Sequence, residues 1–385
     1  MRRTTLSIAV AAVVAAALGA APAVASGGPI GFVKHPERAV KVAGKNRATA
    51  LSPAALLTRI AGANRYTTAV AVSVATFPDG TWGAPDNAPV EYVFVANAMN
   101  FPDALATGPA AYAVGPILLV PATGTVPAAV VAEVKRLNDA NIAHGGTGLT
   151  IIPVGGTDVV SDAVVAQLPS GHPAQRTAGA NRFETAALIA EENNQAWINL
   201  PPAQGGDGTG VASVFVANGL GFADSLAGGG AAAGFPHGGS LVLTSPTSLP
   251  ASTAAALTSI NPPNVFILGG TDVVSAGVLN AIKTLLPSAT VERLEGPNRY
   301  ETAVAISQRT SFTGNDIIMV NGLNFPDALS AAPLAGLYGM TTLLTSGKCV
   351  TAGTAQEANI IGPSQITAVG GTDVVSENAR NLGVC

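Results

Sequence analysis

The sequence is poor in charged and aromatic residues. Of its 385 residues, 11% are Asp, Glu, Lys or Arg, and 5% are Phe, Trp or Tyr. The formal net charge is −4, and loss of Arg2 and Arg3 would make it −6. A weakly charged, acidic chain lacks the basic surface on which nucleic-acid binding depends. Nucleic acid is therefore not an expected partner.

The sequence also lacks the short motifs that mark catalysis. It has four histidines, and none of them recurs at an equivalent position elsewhere in the chain. We find no phosphate-binding loop, no dinucleotide fingerprint and no Gly-x-Ser-x-Gly elbow. Neither His-x-x-x-His nor Cys-x-x-Cys is present. The sequence accordingly predicts no catalytic residue, no metal site and no cofactor.

Cysteine is almost absent, since Cys349 and Cys385 are the only two. In an exported protein an isolated pair is most simply a disulfide, here between the C-terminus and the segment after a predicted strand. Two free thiols are the alternative. Two distant cysteines are too few ligands for a structural zinc site.

The first residues are typical of a secretory signal. Two arginines precede an apolar run over residues 6–21, and an Ala-x-Ala site predicts cleavage after Ala25. A retained membrane anchor is the alternative, although the run is short and broken by Gly19 and Pro22. Residues 26–54 then form a basic leader, interpreted as flexible or as an electrostatic tether to an anionic wall. We expect a secreted protein with no stable membrane span.

What the sequence does contain is one pattern written three times. The first motif, Arg-x-x-Gly-x-Asn-Arg-Tyr/Phe, begins at Arg59, Arg176 and Arg293, which are equally spaced. A Phe-x-Asp-x-Leu motif follows in each copy and contains Asp103, Asp224 and Asp327. A Gly-Gly-Thr-Asp-Val-Val-Ser motif closes each copy, at residues 155–161, 269–275 and 370–376. A period this long predicts three domains rather than a solenoid, with boundaries at 55–168, 169–286 and 287–385.

Each copy alternates strand-like and helix-like segments. In the first copy, β-branched or apolar runs at residues 91–96, 117–120 and 149–154 are separated by helical patterns. Strands that are apolar on both faces and alternate with helices indicate an α/β fold with a mostly parallel sheet covered on both sides.

The recurring charged residues are the candidate binding groups. Each copy has one arginine three residues before a glycine and another three residues after it; the six are Arg59, Arg65, Arg176, Arg182, Arg293 and Arg299. Such pairs would grip phosphate or carboxylate groups of a polymer, and binding would then weaken as salt rises. The alternative is an internal salt bridge to the Asp of the second motif. Asp103, Asp224 and Asp327 are themselves explained either by helix capping or as catalytic carboxylates at the mouth of the sheet.

These nine motif matches, in fixed order, resemble the cell-wall-binding repeat type 2 family over residues 55–385. The resemblance implies three tandem toprim-like α/β domains packed in a triangle with pseudo-threefold symmetry. It also implies noncovalent attachment to anionic secondary wall polymers, such as teichoic-acid-like chains, at a Gram-positive cell surface. The family's polymer-binding Ile-Leu-Leu segment matches Ile117, Leu118 and Leu119, whereas the other copies read Leu-Val-Leu from 241 and Thr-Leu-Leu from 342.

The function expected from these residues is non-catalytic, multivalent attachment, in which three weak sites act together. The resemblance associates such modules with effector domains, none of which is recognised in this sequence, so we expect an anchor. One alternative is a wall hydrolase of the amidase type, or an activator of one. Another is a structural surface-layer subunit.

Overall fold

The computed structural model describes residues 55–81, 89–100, 102–112, 114–199, 208–221, 223–310 and 316–385. The expected signal peptide, residues 1–25, and the basic leader, residues 26–54, lie outside these ranges. Within them, no helix combines the length and the hydropathy that a membrane crossing requires.

Strands and helices alternate along the chain in each copy. The first copy contains β1 (Leu56–Ile60), α1 (Arg65–Thr76), β2 (Tyr92–Asn97), a 3-10 turn (Pro102–Ala104), α2 (Thr107–Ala111), β3 (Ile117–Val120), α3 (Ala128–Ala143), β4 (Thr150–Pro153) and α4 (Asp162–Val165). The second contains α5 (Arg182–Ile198), β5 (Ser213–Asn218), α6 (Ala223–Ala233), β6 (Gly239–Thr244), α7 (Ala251–Ile260), β7 (Asn264–Leu268) and α8 (Ala276–Leu285). The third contains β8 (Thr290–Leu294), α9 (Arg299–Arg309), β9 (Ile317–Asn321), α10 (Phe325–Leu337), β10 (Thr341–Thr345), α11 (Ala352–Ile361), β11 (Gln365–Val369) and α12 (Glu377–Arg380).

These strands form three sheets whose strand pairs are all parallel, which confirms the predicted α/β class. The strand orders are β3-β2-β4, β6-β5-β7-β8 and β10-β9-β11-β1. Strands β2, β5 and β9 therefore occupy equivalent interior positions, and we call them the central strands. The three sheets share this strand order.

One edge of each sheet is completed by a segment from a different copy. Strand β8, which opens the third copy, pairs with β7 of the second. The start of the second copy runs beside β4, where Thr177 bridges Val154. Strand β1, which opens the first copy, pairs with β11 of the third. Each sheet therefore combines strands of one copy with the first extended segment of another. The pairing of β1 with β11 links the third copy back to the first, so the three copies form a closed cycle.

The helices that follow the central strands pack against one another around a common axis. Helices α2, α6 and α10 contact each other in all three combinations. Small residues permit this approach: a Cβ atom added to Gly108 would lie 2.7 Å from Ala332, and one added to Gly336 would lie 2.7 Å from Ala233. One cluster of buried apolar side chains accordingly includes residues from all three copies, so the copies share a core.

A disulfide joins Cys349 and Cys385, with their Cα atoms 5.1 Å apart, which confirms the sequence-based pairing. It lies beside a parallel bridge between Val350 and Val384. The bond therefore fastens the C-terminal residue to the segment that follows β10.

Candidate functional site

The three recurring motifs meet at the boundary between two copies rather than within one. Between the second and third copies they line a groove of about 620 Å³. The second copy contributes the start of α6 with Asp224 and the Gly270–Val273 turn, and the third copy contributes Glu295 to Arg299 and Thr302. The opening segment of the third copy, β8, pairs with the last strand of the second copy, β7. This pairing places the first motif of one copy beside the last motif of the copy before it.

The glycine and asparagine of the first motif shape the start of a helix. The side chains of Asn64, Asn181 and Asn298 each accept hydrogen bonds from the second and third backbone N–H groups of α1, α5 and α9. The preceding glycine lies so close to the first turn that a Cβ atom on Gly62 would be 2.3 Å from the backbone of Thr67. Asparagine therefore caps the helix that follows the first motif in every copy.

The first arginine of each motif fastens one copy to the copy before it in the cycle. Arg59, Arg176 and Arg293 donate to the carbonyls of Gly370, Gly155 and Gly269, at 2.6, 2.7 and 2.6 Å. Arg59 also pairs with Glu377, and Arg176 with Asp162. These guanidinium groups are largely buried, so their observed partners are protein atoms at the Gly-Gly turn.

The second arginine holds the loop that follows the central strand of its own copy. Arg65, Arg182 and Arg299 donate to the carbonyls of Ala98, Gly219 and Gly322, at 2.7, 2.9 and 2.7 Å. Burial raises the pKa of Asp327 and of Asp224, and the charges of Arg65 and Arg299 offset part of these two rises. These arginines and aspartates come from different copies, Arg65 acting on Asp327 and Arg299 on Asp224.

The recurring aspartates lie under the Gly-Gly turns. Asp327 is 6% exposed, and burial raises its pKa to about 6, against the opposing effects of Arg65 and a hydrogen bond from Thr68. Burial also raises the pKa of Asp224, which Arg299 and Thr302 oppose. The equivalent Asp103 approaches Gly155, where an added Cβ would lie 3.2 Å from its own Cβ.

The Gly-Gly turns need glycine for two reasons. Their first residues, Gly155, Gly269 and Gly370, have φ values of 90°, 90° and 110°, which L side chains rarely adopt. A Cβ atom on Gly269 would also meet Asp224 Oδ2 at 2.6 Å. The turn tips Asp158, Asp272 and Asp373 are exposed. Among the described residues, no group of three or more His, Cys, Asp or Glu side chains is arranged to hold a metal ion.

The Ile-Leu-Leu segment lies elsewhere. Ile117, Leu118 and Leu119 belong to β3 and are 0–1% exposed in the shared core. A polymer outside the protein cannot reach side chains that are buried to this degree. In this fold their observed role is core packing.

Two recurring positions of the site went unnoticed in the sequence. Asn97, Asn218 and Asn321 end the central strands, and Asn97 and Asn321 donate to carbonyls of the Gly-Gly-turn segment, Val159 and Val374. Thr68, Thr185 and Thr302 are buried and accept hydrogen bonds from the motif glycines Gly62, Gly179 and Gly296. The residues of each set lie at the same sequence distance from a motif in all three copies. That recurrence could have identified both sets from the sequence.

The elevated pKa of Asp327 predicts that stability falls as pH rises. The folded state binds this proton more tightly than the unfolded state, so the stabilisation is present at low pH and is lost through pH 6. We expect a loss of about 2 kcal/mol between pH 4.5 and 7.5, from the conversion of about 1.4 kcal/mol per pKa unit. Urea unfolding at the two pH values measures it.

The neutral variant Asp327→Asn isolates this contribution from those of Asp224 and Glu192, whose pKa values burial also raises. It should show a smaller loss over the same interval, whereas Asp373→Asn, at an exposed turn tip, should keep the wild-type dependence. An unchanged pH dependence in Asp327→Asn would contradict the assignment.

Comparison with known proteins finds two curated relatives that align with most of this chain. N-acetylmuramoyl-L-alanine amidase LytC of Bacillus subtilis (strain 168) is 27% identical over 326 residues, which are 84% of this chain and 57% of that protein. Amidase enhancer of the same organism is 26% identical over 327 residues, 85% of this chain and 40% of that protein. The chain thus spans about half the length of these curated relatives.

Two solved structures share the fold. Cwp6 from Clostridium difficile aligns with a TM-score of 0.71 and 23% identity, over 89% of this chain and 50% of that one. Cwp8 from Clostridium difficile aligns with a TM-score of 0.69 and 24% identity, over 84% and 51%.

The family model described as cell wall binding domain 2 (CWB2) matches three segments, residues 59–165, 176–279 and 293–380. The first residues matched are the three fastening arginines Arg59, Arg176 and Arg293. The matched segments cover most of the chain and contain every motif of the site. The chain therefore belongs to the cell wall binding domain 2 family.

Proposed function

We propose that this protein is a secreted, non-catalytic attachment protein that binds anionic secondary polymers of a Gram-positive cell wall. The observation that carries the proposal is the groove between the second and third copies, which all three recurring motifs build. Family membership supports wall binding as the role of such a groove. The same contacts recur at the other two copy boundaries, so the chain would present three equivalent sites.

Three sites in one rigid frame would make attachment multivalent. A wall polymer repeats its chemical unit, so binding at one groove raises the effective concentration of further units at the others. Weak individual sites would then retain the protein on the wall without a covalent bond. In this proposal Arg59, Arg176 and Arg293 act as structural fasteners, while Arg65, Arg182, Arg299 and the three aspartates surround the ligand.

Co-sedimentation with purified wall tests this function. Wild-type protein should sediment with intact wall and remain in solution with wall whose secondary polymers have been removed, because peptidoglycan alone would lack the ligand. Equal sedimentation with both preparations would contradict the proposal. Wall from which only proteins have been stripped is the matched control.

One feature of the groove favours a second candidate, a wall hydrolase. Asp224 and Asp272 line the same groove, and paired carboxylates are the acid and base of most glycoside hydrolases. Release of soluble label from labelled peptidoglycan measures this activity. We expect no release by the purified protein; release that Asp224→Asn abolishes would establish the hydrolase instead.

A further inference from the structure

Three exposed apolar side chains occupy the same position in the three copies. Met99 is 68% exposed, Leu220 is 63% exposed and Leu323 is 57% exposed. Each stands two residues after the asparagine that ends its central strand. A single exposed leucine is ordinary, but one repeated at every equivalent loop of a three-copy protein calls for a function. We name Met99, Leu220 and Leu323 the apolar rim residues.

The fold holds each rim residue in place through its backbone. The N–H groups of Met99, Leu220 and Leu323 donate to Oδ1 of Asn97, Asn218 and Asn321, at 2.7, 2.8 and 2.8 Å. The carbonyl just before each rim residue accepts from Arg65, Arg182 or Arg299. Both polar atoms of that peptide unit are thus engaged. The loop that carries each exposed side chain is therefore held by defined hydrogen bonds, and the second arginine of the motif acts as its positioning residue.

The rim residue borders the ligand groove. Leu220 lines the groove between the second and third copies, together with Asp224 and Arg299. Arg65 lies 3.3 Å from the sulfur of Met99, so the corresponding rim residue of the first copy also stands beside the second arginine. An apolar side chain and the partly buried carboxylate of Asp224 therefore meet in the same groove.

The charges that line this groove do not suit a phosphate. Three carboxylates, Asp224, Asp272 and Glu295, face one guanidinium, that of Arg299. Asp224 is only partly buried, so its carboxylate can be reached from the groove. A carboxylate acceptor of this kind is best satisfied by a hydrogen-bond donor. An incoming anion would instead be repelled.

We propose that each groove takes an uncharged sugar unit of the wall polymer, with the apolar rim residue packed against the C–H face of the ring and the groove aspartate, Asp224 or its equivalent, accepting from a hydroxyl. This inference rests on the proposed function and specifies the part of the polymer that enters the site. A pyranose has both features, since its hydroxyl groups are donors and one ring face is largely C–H. The anionic linkages of the polymer stay outside the groove, in solvent.

Substitution of the rim residues tests the apolar contact. Leu220→Ala should weaken wall binding about fivefold, and Met99→Ala/Leu220→Ala/Leu323→Ala on the order of 100-fold, because losses at three linked sites combine. Ile142→Ala removes a 54% exposed apolar side chain on α3 and should bind as wild type does. The side chains are exposed, so circular dichroism should show an unchanged fold and melting temperature.

Competition identifies the chemical class of the ligand. Neutral oligosaccharides released from the wall by hydrofluoric acid, which cleaves phosphodiesters, should displace wild-type protein from wall, whereas polyphosphate of similar length should not. Binding should also change less than twofold between 50 and 500 mM salt, in contrast to the salt-sensitive binding that an arginine clamp on phosphate predicts.

Two results would overturn the inference alone: wild-type affinity in the folded triple variant, or displacement by polyphosphate but not by the neutral oligosaccharides. Wild-type protein that fails to bind wall would overturn the proposed function, and the inference with it.

Discussion

A chain that begins at Ala61, and so lacks β1, should be less stable than the full chain by about 5 kcal/mol. The truncation removes the edge strand of the third sheet, including the bonds from Leu56 N to Ser364 O and from Gly370 N to Ile60 O. It also removes the Arg59 contact with the Gly370 carbonyl. The figure combines roughly 1 kcal/mol for each hydrogen bond with the loss of the partly buried Leu57 and Ile60. Urea unfolding measures the difference.

A chain that begins at Leu51 is the matched control, because it keeps all of β1. It should unfold at the same urea concentration as the full chain. Hydrogen exchange locates the effect: amides of β11 should lose protection in the shorter chain, while those of β5 should keep theirs. Equal unfolding midpoints for the two truncations would show that the cycle of sheets does not depend on β1.

Removal of the disulfide should cost about 4 kcal/mol, an estimate from the entropy of closing the loop between residues that are 36 apart in sequence. The variant Cys349→Ser/Cys385→Ser tests it in urea unfolding. The effect should be confined to the third copy, because the bond secures the C-terminal segment beside β10 and α12. Amides at Val350 and Leu382 should exchange faster than in the wild type.

The matched control is the wild-type protein under reducing conditions, which should unfold like the serine variant. Strands β5 to β8 of the second sheet contain no disulfide and should keep their protection in both. A variant as stable as the oxidised wild type would show that packing alone holds the C-terminus.

The site itself illustrates how far the sequence reaches. The motifs were visible as motifs, and the capping asparagines could be assigned from their neighbours alone. The partners of the arginines could not be, because Arg59 binds Gly370, which lies 311 residues away. Recurrence identifies which residues matter but not which copy supplies the partner. The apolar rim residues were invisible for a related reason: Met, Leu and Leu in a loop are not a motif until their exposure is known.

The sequence by itself determined the three-copy organisation, the α/β class, the parallel strands and the cysteine pair. Those features follow from local patterns: apolar strands that alternate with helices, caps at fixed offsets, and one possible pairing of two cysteines. Only the tertiary structure decided that each sheet is completed by another copy, that β1 pairs with the third copy, and that Ile117, Leu118 and Leu119 are buried. Those features depend on contacts between residues that are distant in sequence, such as the packing of α2, α6 and α10 against one another. No local sequence pattern records such contacts.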